Sequence, residues 1–257
     1  REDGKVLIKH AVPGREVLYR VTKARKGNAE GRVLETLAPG ACERRESLCP
    51  AVGVCGGCLY QTLPYAEELR LKEQLLQRLL GEAIGEDFLW EGLTASPREN
   101  AYRMKMEYSF GDAYRDGPLT LGMHKRGSHY DIVETDRCEL VHEDLNLALR
   151  ETLRFFRERK VPFYHKLRHE GYLRFLLARR GTHRKELLLD LVTSSQLPAE
   201  EERELLRAWR ELMCSLPFEA SLKGLLHTVT DSVADAVKNE RTEVLFGEAQ
   251  FEEELSG

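Results

Sequence analysis

Three thiols fall within ten residues in Cys49-Pro-Ala-Val-Gly-Val-Cys55-Gly56-Gly57-Cys58, the densest chemical signal in the chain. A thiolate is a soft ligand that suits iron-sulfur clusters, zinc or copper(I), and three on one short loop can converge on a single metal centre. Gly56 and Gly57 carry no Cβ, so the backbone can turn tightly and bring its amides close to the sulfur atoms. A fourth ligand is still needed. Cys138, in Asp-Arg-Cys-Glu-Leu, is the best candidate, because it lies far along the chain and would tie two distant segments together.

Competing explanations differ in their fit. Reduced core cysteines would sit on an apolar face, whereas Pro, Gly and Val surround these thiols and make a loop. Structural zinc usually takes its ligands as two close pairs. Three plus one remote favours a cubane cluster, with zinc still open on spacing alone. Radical enzymes that cleave S-adenosylmethionine use a three-cysteine loop with a shorter first gap than Cys49 to Cys55, which disfavours that chemistry. Cys42 and Cys214 lie outside the ligand pattern, and Cys214 has no cationic neighbours that would make it a nucleophile.

The pattern Cys49-x5-Cys55-Gly-Gly-Cys58 with a remote Cys138 resembles the iron-sulfur signature of the S-adenosylmethionine-dependent RNA uracil-5-methyltransferases, a bacterial family that modifies ribosomal RNA. Pro50 and the Gly-Gly pair match it too. The resemblance implies a 4Fe-4S cluster on Cys49, Cys55, Cys58 and Cys138, structural in role, with S-adenosylmethionine as methyl donor and ribosomal RNA as partner.

A chain of 257 residues, 42% apolar and 32% charged, has room for about two domains and a core. No run approaches the roughly 18 apolar residues of a membrane helix, and no apolar leader opens the chain. Six cysteines without a secretory signal argue for a reducing compartment, so a cytoplasmic monomer without membrane attachment is expected. The net charge of -4 averages over a basic stretch, Arg15, Arg20, Lys23, Arg25, Lys26 and Arg32, and an acidic one from Asp231 to Glu254. Scattered cations usually just solvate strand faces, but this group lies immediately before the cysteine loop.

The elements that must position these groups are legible from periodicity. Runs at 5–9, 16–22 and 29–35, separated by Val-Pro-Gly and Lys-Gly-Asn, predict short strands of a small barrel or sandwich. Ala11-Val-Pro-Gly-Arg-Glu-Val17 resembles the small OB-like TRAM domain of the same family, which implies RNA binding. In the family that domain begins with a strand upstream of the position of Arg1. Residues 65–80 predict an amphipathic helix ended by Gly81, and 100–110 an alternating strand with Tyr102, Met104, Met106, Tyr108 and Phe110 on one face. The opposite face carries Arg103 and Lys105, and Tyr-Arg-Met-Lys resembles the family's Tyr-Arg-Asn-Lys segment near bound RNA, with Met104 in place of the polar residue.

Strands at 119–128 and 130–140 follow, with His124, Lys125 and Arg126 on a basic turn where long cations can neutralise phosphates. The Leu-Gly-Met-His and Ile-Val pieces there resemble the family at corresponding spacing and support Cys138. His124 is equally explained as an ordinary polar turn residue. Residues 143–157 and 200–213 predict helices, and 171–178 with 186–192 a hairpin too apolar for a sheet edge. Gly-Tyr-Leu-Arg174 again resembles the family, making Arg174 an RNA-binding candidate, although strand arginines more often pair with carboxylates. Strands at 220–229 and from 243 onward close the chain, with Leu-Phe-Gly247 resembling the strand that precedes the family's catalytic domain.

The expected fold is therefore α+β: an OB-like TRAM barrel over 1–45, then a mixed α/β central domain over 46–257 holding the cluster. Methylation at uracil C5 needs a nucleophile, a base and a donor pocket. No G-x-G-x-x-G fingerprint occurs. The expectation is that the Rossmann-like catalytic domain is absent and that this chain alone is inactive; the alternative is a non-catalytic iron-sulfur or zinc RNA-binding adaptor. Electron transfer is not required by the loop or its basic surroundings.

Overall fold

A computed structural model describes residues 5–25, 28–85, 87–233 and 241–254. Lys26 of the basic stretch, residues 234–240 of the acidic one and Leu255 lie outside the described residues. The chain divides into two compact units, Arg1–Ser47 with Cys58–Pro97, and Leu48–Gly57 with Arg98–Gly257.

In the first unit, β1 (Lys5–Lys9), β2 (Glu16–Arg25) and β3 (Asn28–Ala38) form a sheet of order β1-β3-β2, with β1 parallel and β2 antiparallel to β3. The β2–β3 hairpin forms where strand-forming residues flank the Lys26-Gly27 turn signal. An OB fold takes five strands, and the described residues of this unit supply three.

Arg15 grips Glu43 through Nε to Oε1 at 2.7 Å and Nη2 to Oε2 at 2.5 Å. Thr62 Oγ1 and the Gly40 amide donate to the same carboxylate. Arg15, grouped by sequence with the free cations, is thus committed to holding two segments of this unit together.

The helix α1 (Tyr65–Ile84) continues through Gly81 and stops at Gly85, whose φ of 85° is the left-handed conformation that glycine adopts without a Cβ clash. Gly81 is tolerated inside it at a cost of about 0.5–1 kcal/mol relative to Ala. The apolar face expected of this amphipathic helix leaves Leu75, Leu76, Leu79 and Leu80 exposed, and no described residue of α1 is fully buried.

The second unit is built on seven strands: β4 (Lys105–Asp112), β5 (Leu119–His124), β6 (Ile132–Glu134), β7 (Leu173–Arg180), β8 (Glu186–Thr193), β9 (Ser221–Val229) and β10 (Arg241–Gly247). Their order is β10-β9-β8-β7-β4-β5-β6, so the β7–β8 hairpin is central, as its apolar strands require. All pairings are antiparallel except β8 with β9, which α3 (Ala199–Ser215) connects.

With α2 (Glu143–Glu158), α3 packs a core against the sheet. Leu145, Leu149, Leu153 and Phe156 of α2 meet Leu176, Leu187, Leu189 and Leu191 together with Leu206, Trp209 and Met213 of α3. Each fully buried large apolar side chain there contributes about 1.5–3 kcal/mol by removal from water. Thr152 joins the helices, accepting from Trp209 Nε1 at 3.1 Å and donating to Met213 Sδ at 3.7 Å.

The strand expected from residue 100 begins at Lys105. Ala101 sits at φ 52°, and the amides of Ala101 and Arg103 donate to Glu139 and Leu140, the carbonyls flanking the loop after Cys138. Tyr102 is consequently exposed, while Met106, Tyr108 and Phe110 face the core. A correction concerns the expectation that the Rossmann-like catalytic domain is absent from this chain. Its β8–α3–β9 step is a parallel β–α–β unit, the building block of such folds, joined by Ser194-Ser-Gln-Leu-Pro198 without the glycine fingerprint that the sequence search required.

Candidate metal and RNA-facing site

Residues 48–57 belong to the second unit. The loop folds on itself through Cys55 N to Ala51 O at 2.9 Å and Val54 N to Ala51 O at 3.1 Å. It is then stitched to the end of β5: Gly56 N donates to His124 O at 3.0 Å, Arg126 N to Val54 O at 2.8 Å, and Cys55 forms a bridge with Lys125. Its other end is held by Leu48 N donating to Glu139 Oε1 at 2.5 Å. A Cβ on Gly56 would stand 3.3 Å from the His124 carbonyl, so the close approach uses the missing side chain. Gly57 N donates to Cys55 Sγ at 3.3 Å, the amide-to-sulfur contact that the Gly-Gly pair leads one to expect.

Cys138 is fixed from behind by Asn146 of α2, whose Oδ1 accepts from Cys138 N at 3.1 Å while its Nδ2 donates to Cys138 O at 3.2 Å. Sequence reasoning missed Asn146. Its signal is a polar residue among the buried positions of a helix, one it shares with Asp144 and Thr152. Burial pushes the Cys49 and Cys138 thiols up, and the neighbouring thiols add to it: Cys55 acts on Cys49, and both Cys49 and Cys55 act on Cys138. The three sulfurs thus interact electrostatically, and a metal would have to displace the protons of Cys49 and Cys138. Cys58 opens the second stretch of the other unit. Among the described residues no group of three or more His, Cys, Asp or Glu converges closely enough to hold a single ion.

The cationic candidates take different places. Arg103 and Lys105 are exposed at the start of β4, with Arg103 Nε donating to Lys105 O at 3.1 Å, and Lys105 pairs across the sheet with exposed Arg179. Lys125 is exposed and 3.8 Å from Asp131, while Arg126 is half-buried and donates to Cys55 O at 3.4 Å. His124 is half-buried and contributes its carbonyl to the loop. Arg174 is only 5% exposed: it donates to Thr230 O and Ser232 O, both at 2.8 Å, and lies 4.2 Å over the Tyr164 ring. That arginine secures the exit of β9. His124, Lys125 and Arg126 thus stand at the cysteine loop, Arg103 and Lys105 at the β4 end beside β7, and Arg174 apart from both.

No family model matches the chain. It is 40% identical over 255 residues to an uncharacterised RNA methyltransferase of Clostridium acetobutylicum, a match covering 98% of this chain and 54% of the relative. An uncharacterised RNA methyltransferase of Caldanaerobacter subterraneus is 41% identical over 256 residues, covering 99% of this chain and 55% of the relative. The fold is similar to the crystal structure of the Pyrococcus abyssi tRNA (uracil-54, C5)-methyltransferase in complex with S-adenosyl-L-homocysteine, with a TM-score of 0.66 and 21% identity over 97% of this chain and 53% of that one. The chain spans about half the length of the curated relatives it matches.

These findings overturn the expectation of an inactive chain lacking the catalytic and S-adenosylmethionine-binding segment. The relatives named as RNA methyltransferases align with this chain from end to end, and a methyltransferase solved with S-adenosyl-L-homocysteine shares its fold over nearly all of it. The expectation rested on where the sequence stops and on one missing glycine motif, and neither is a property of the folded chain.

Proposed function

We propose that this chain serves in an S-adenosylmethionine-dependent RNA methyltransferase that acts at C5 of a uridine, with ribosomal RNA as substrate, in the cytoplasm and as a monomer. The observation that carries the reading is the similarity, over 98% and 99% of this chain, to relatives named as RNA methyltransferases. Two features of the chain agree with an RNA substrate. Arg20 and Arg32 are paired directly across β2 and β3 and both are exposed. Like charges placed opposite each other destabilise a hairpin, so the pair makes sense opposite a phosphate. Arg103, Lys105, Lys125 and Arg126 offer further cations for backbone contacts, which position an RNA without reading its bases.

In this proposal Cys49, Cys55, Cys58 and Cys138 hold a 4Fe-4S cluster. A cubane presents its irons on separate corners, so its thiolates need not meet at one point as they would around zinc. The electrostatic proximity of Cys49, Cys55 and Cys138, the amide on Cys55 Sγ and the Asn146 clamp on Cys138 all support the assignment. The cluster's role here is to tie the loop at 48–57 to the start of α2. S-adenosylmethionine would supply the methyl group, and no residue of this chain is assigned to holding it.

Incubation of the protein with RNA and methyl-labelled S-adenosylmethionine, followed by digestion to nucleosides, is expected to yield labelled 5-methyluridine. Label confined to another nucleoside, or none in RNA, overturns the activity. Iron and sulfide in equal amounts with a broad absorption near 400 nm, about the usual place for thiolate-to-iron charge transfer, are expected of anaerobically purified protein; one zinc per chain and no colour would refute the cluster.

A further inference from the structure

The tip of the central β7–β8 hairpin holds an anion. Glu253 places its carboxylate against consecutive backbone amides, accepting from Thr182 N through Oε2 and from His183 N through Oε1 at 3.1 Å, with the Arg184 amide also directed at it. Burial pushes this carboxyl up, but the amides of Glu254, His183, Thr182 and Arg184 outweigh that and hold it below the usual carboxylate range. Glu252 occupies the neighbouring cation, its Oε2 lying 3.6 Å from Arg184 Nη2. Successive amides aimed at one point form a nest, a concavity that binds anions and phosphates in particular.

Three further features suit the hairpin tip to an external ligand. His183, Arg184 and Lys185 are exposed, with Arg179 exposed on the adjoining strand, so the nest opens to solvent amid cations. Gly181 leaves the space that the carboxylate fills, since a Cβ there would come within 2.5 Å of Glu253 Oε2. The scaffold is rigid below the tip: Gly181 N donates to Glu186 O at 2.9 Å and Ser221 N to Lys185 O at 2.8 Å.

We propose that the Thr182–Arg184 amides are an oxyanion site for a phosphate of the RNA backbone, and that Glu253 is a tethered competitor that keeps the site closed until RNA displaces it. The RNA part of this inference rests on the proposed function; the nest does not. A backbone phosphodiester has the same requirement as the carboxylate, several donors converging on two oxygens that share one negative charge. Glu252 and Glu253 together then occupy the positions of an acidic backbone, one on the guanidinium and one on the amides.

The test uses Glu253→Ala, with Glu254→Ala as a control that removes a charge from the same segment but not from the nest. Binding of a single-stranded RNA oligonucleotide should tighten by about tenfold in Glu253→Ala, the scale of one charge-assisted hydrogen-bond set. The slope of log affinity against log salt should steepen by about 0.7, one added phosphate on a single strand. In the same variant inorganic phosphate should shift the amide resonances of Thr182, His183 and Arg184, and adding Gly181→Ala should abolish both effects.

Equal tightening by Glu254→Ala would show a general charge effect and overturn the inference. So would RNA affinity unchanged by Glu253→Ala with the three amides unmoved by phosphate, an outcome that leaves the proposed function standing. Amides moved by inorganic phosphate but not by RNA that binds elsewhere would overturn the RNA assignment of the nest. If no form binds RNA while phosphate still moves the amides, the proposed function fails and the nest is supported.

Discussion

Arg180 Nε donates to Asp144 Oδ2 at 2.7 Å, with both side chains almost entirely out of solvent, joining the end of β7 to the first turn of α2. The same carboxylate accepts from Glu219 N at 2.7 Å and Ala220 N at 3.0 Å, so the approach to β9 is anchored at the same point. Burial raises the Asp144 carboxyl, yet the Arg180 hydrogen bond and the two amides reverse this and leave it below its ordinary value. Three separate segments therefore depend on one charge.

Asp144→Ala removes the buried partner of Arg180, leaving it Glu219 Oε1 at 3.5 Å and Gly181 O at 3.1 Å, and is expected to destabilise the second unit by up to about 3–5 kcal/mol in urea unfolding. Because the folded carboxyl lies below the unfolded one at 3.8, its contribution is complete above that value and is lost as pH falls through the folded pKa. Acid unfolding should therefore lose this component in Asp144→Asn, and an unchanged acid limb would count against the pair.

Glu43 offers a parallel test in the first unit. The Arg15 guanidinium brings its carboxyl down to about 2, against burial, with help from Thr62 and the Gly40 amide. Stability from this group is full above 4.5 and fades as pH drops toward about 2. Glu43→Gln should speed hydrogen exchange at the Gly40 amide by about tenfold or more at neutral pH, since a bond to a charged acceptor contributes about 1.5–3 kcal/mol.

His227 is buried beneath α3 with Nε2 2.8 Å from Thr193 Oγ1, and burial, with Arg241 adding to it, lowers its pKa to about 4. The unfolded chain binds the proton first, so stability should decline as pH falls from 6.5 toward about 4. Nuclear magnetic resonance should find the ring neutral down to that range. A ring titrating near 6.5 in the folded protein would contradict its placement.

If the proposed cluster is right, Cys49→Ser, Cys55→Ser, Cys58→Ser and Cys138→Ser should each lower iron per chain. Cys214→Ser, an exposed thiol beyond the loop, should not. Asn146→Ala should leave the cysteines in place yet release iron faster to a chelator, because metal ligands held by neighbouring hydrogen bonds lose about 10–100-fold in affinity when that support goes.

Local patterns were sufficient for much of this molecule. The alternation of Met106, Tyr108 and Phe110 and the spacing of Leu145, Leu149, Leu153 and Phe156 name their own buried faces, because side-chain direction repeats every two residues in a strand and about every 3.6 in a helix. The cysteine spacing and the cations likewise marked a loop and its surroundings as places to look. Sequence pattern failed where the partner is distant. Nothing near Arg180 separates it from Arg179, yet one is buried on Asp144 and the other is exposed, since adjacent strand residues face opposite ways and the hairpin's central position buries one side more deeply. Residues 100–104 look like strand, but Ala101 and Arg103 give their amides to Glu139 and Leu140. Arg174 reads as an RNA contact or a carboxylate partner and is instead enclosed by two carbonyls and a ring. Hydrogen-bond partners dozens of residues apart are chosen by how the whole sheet closes, and that choice leaves no trace in the local run of residue types.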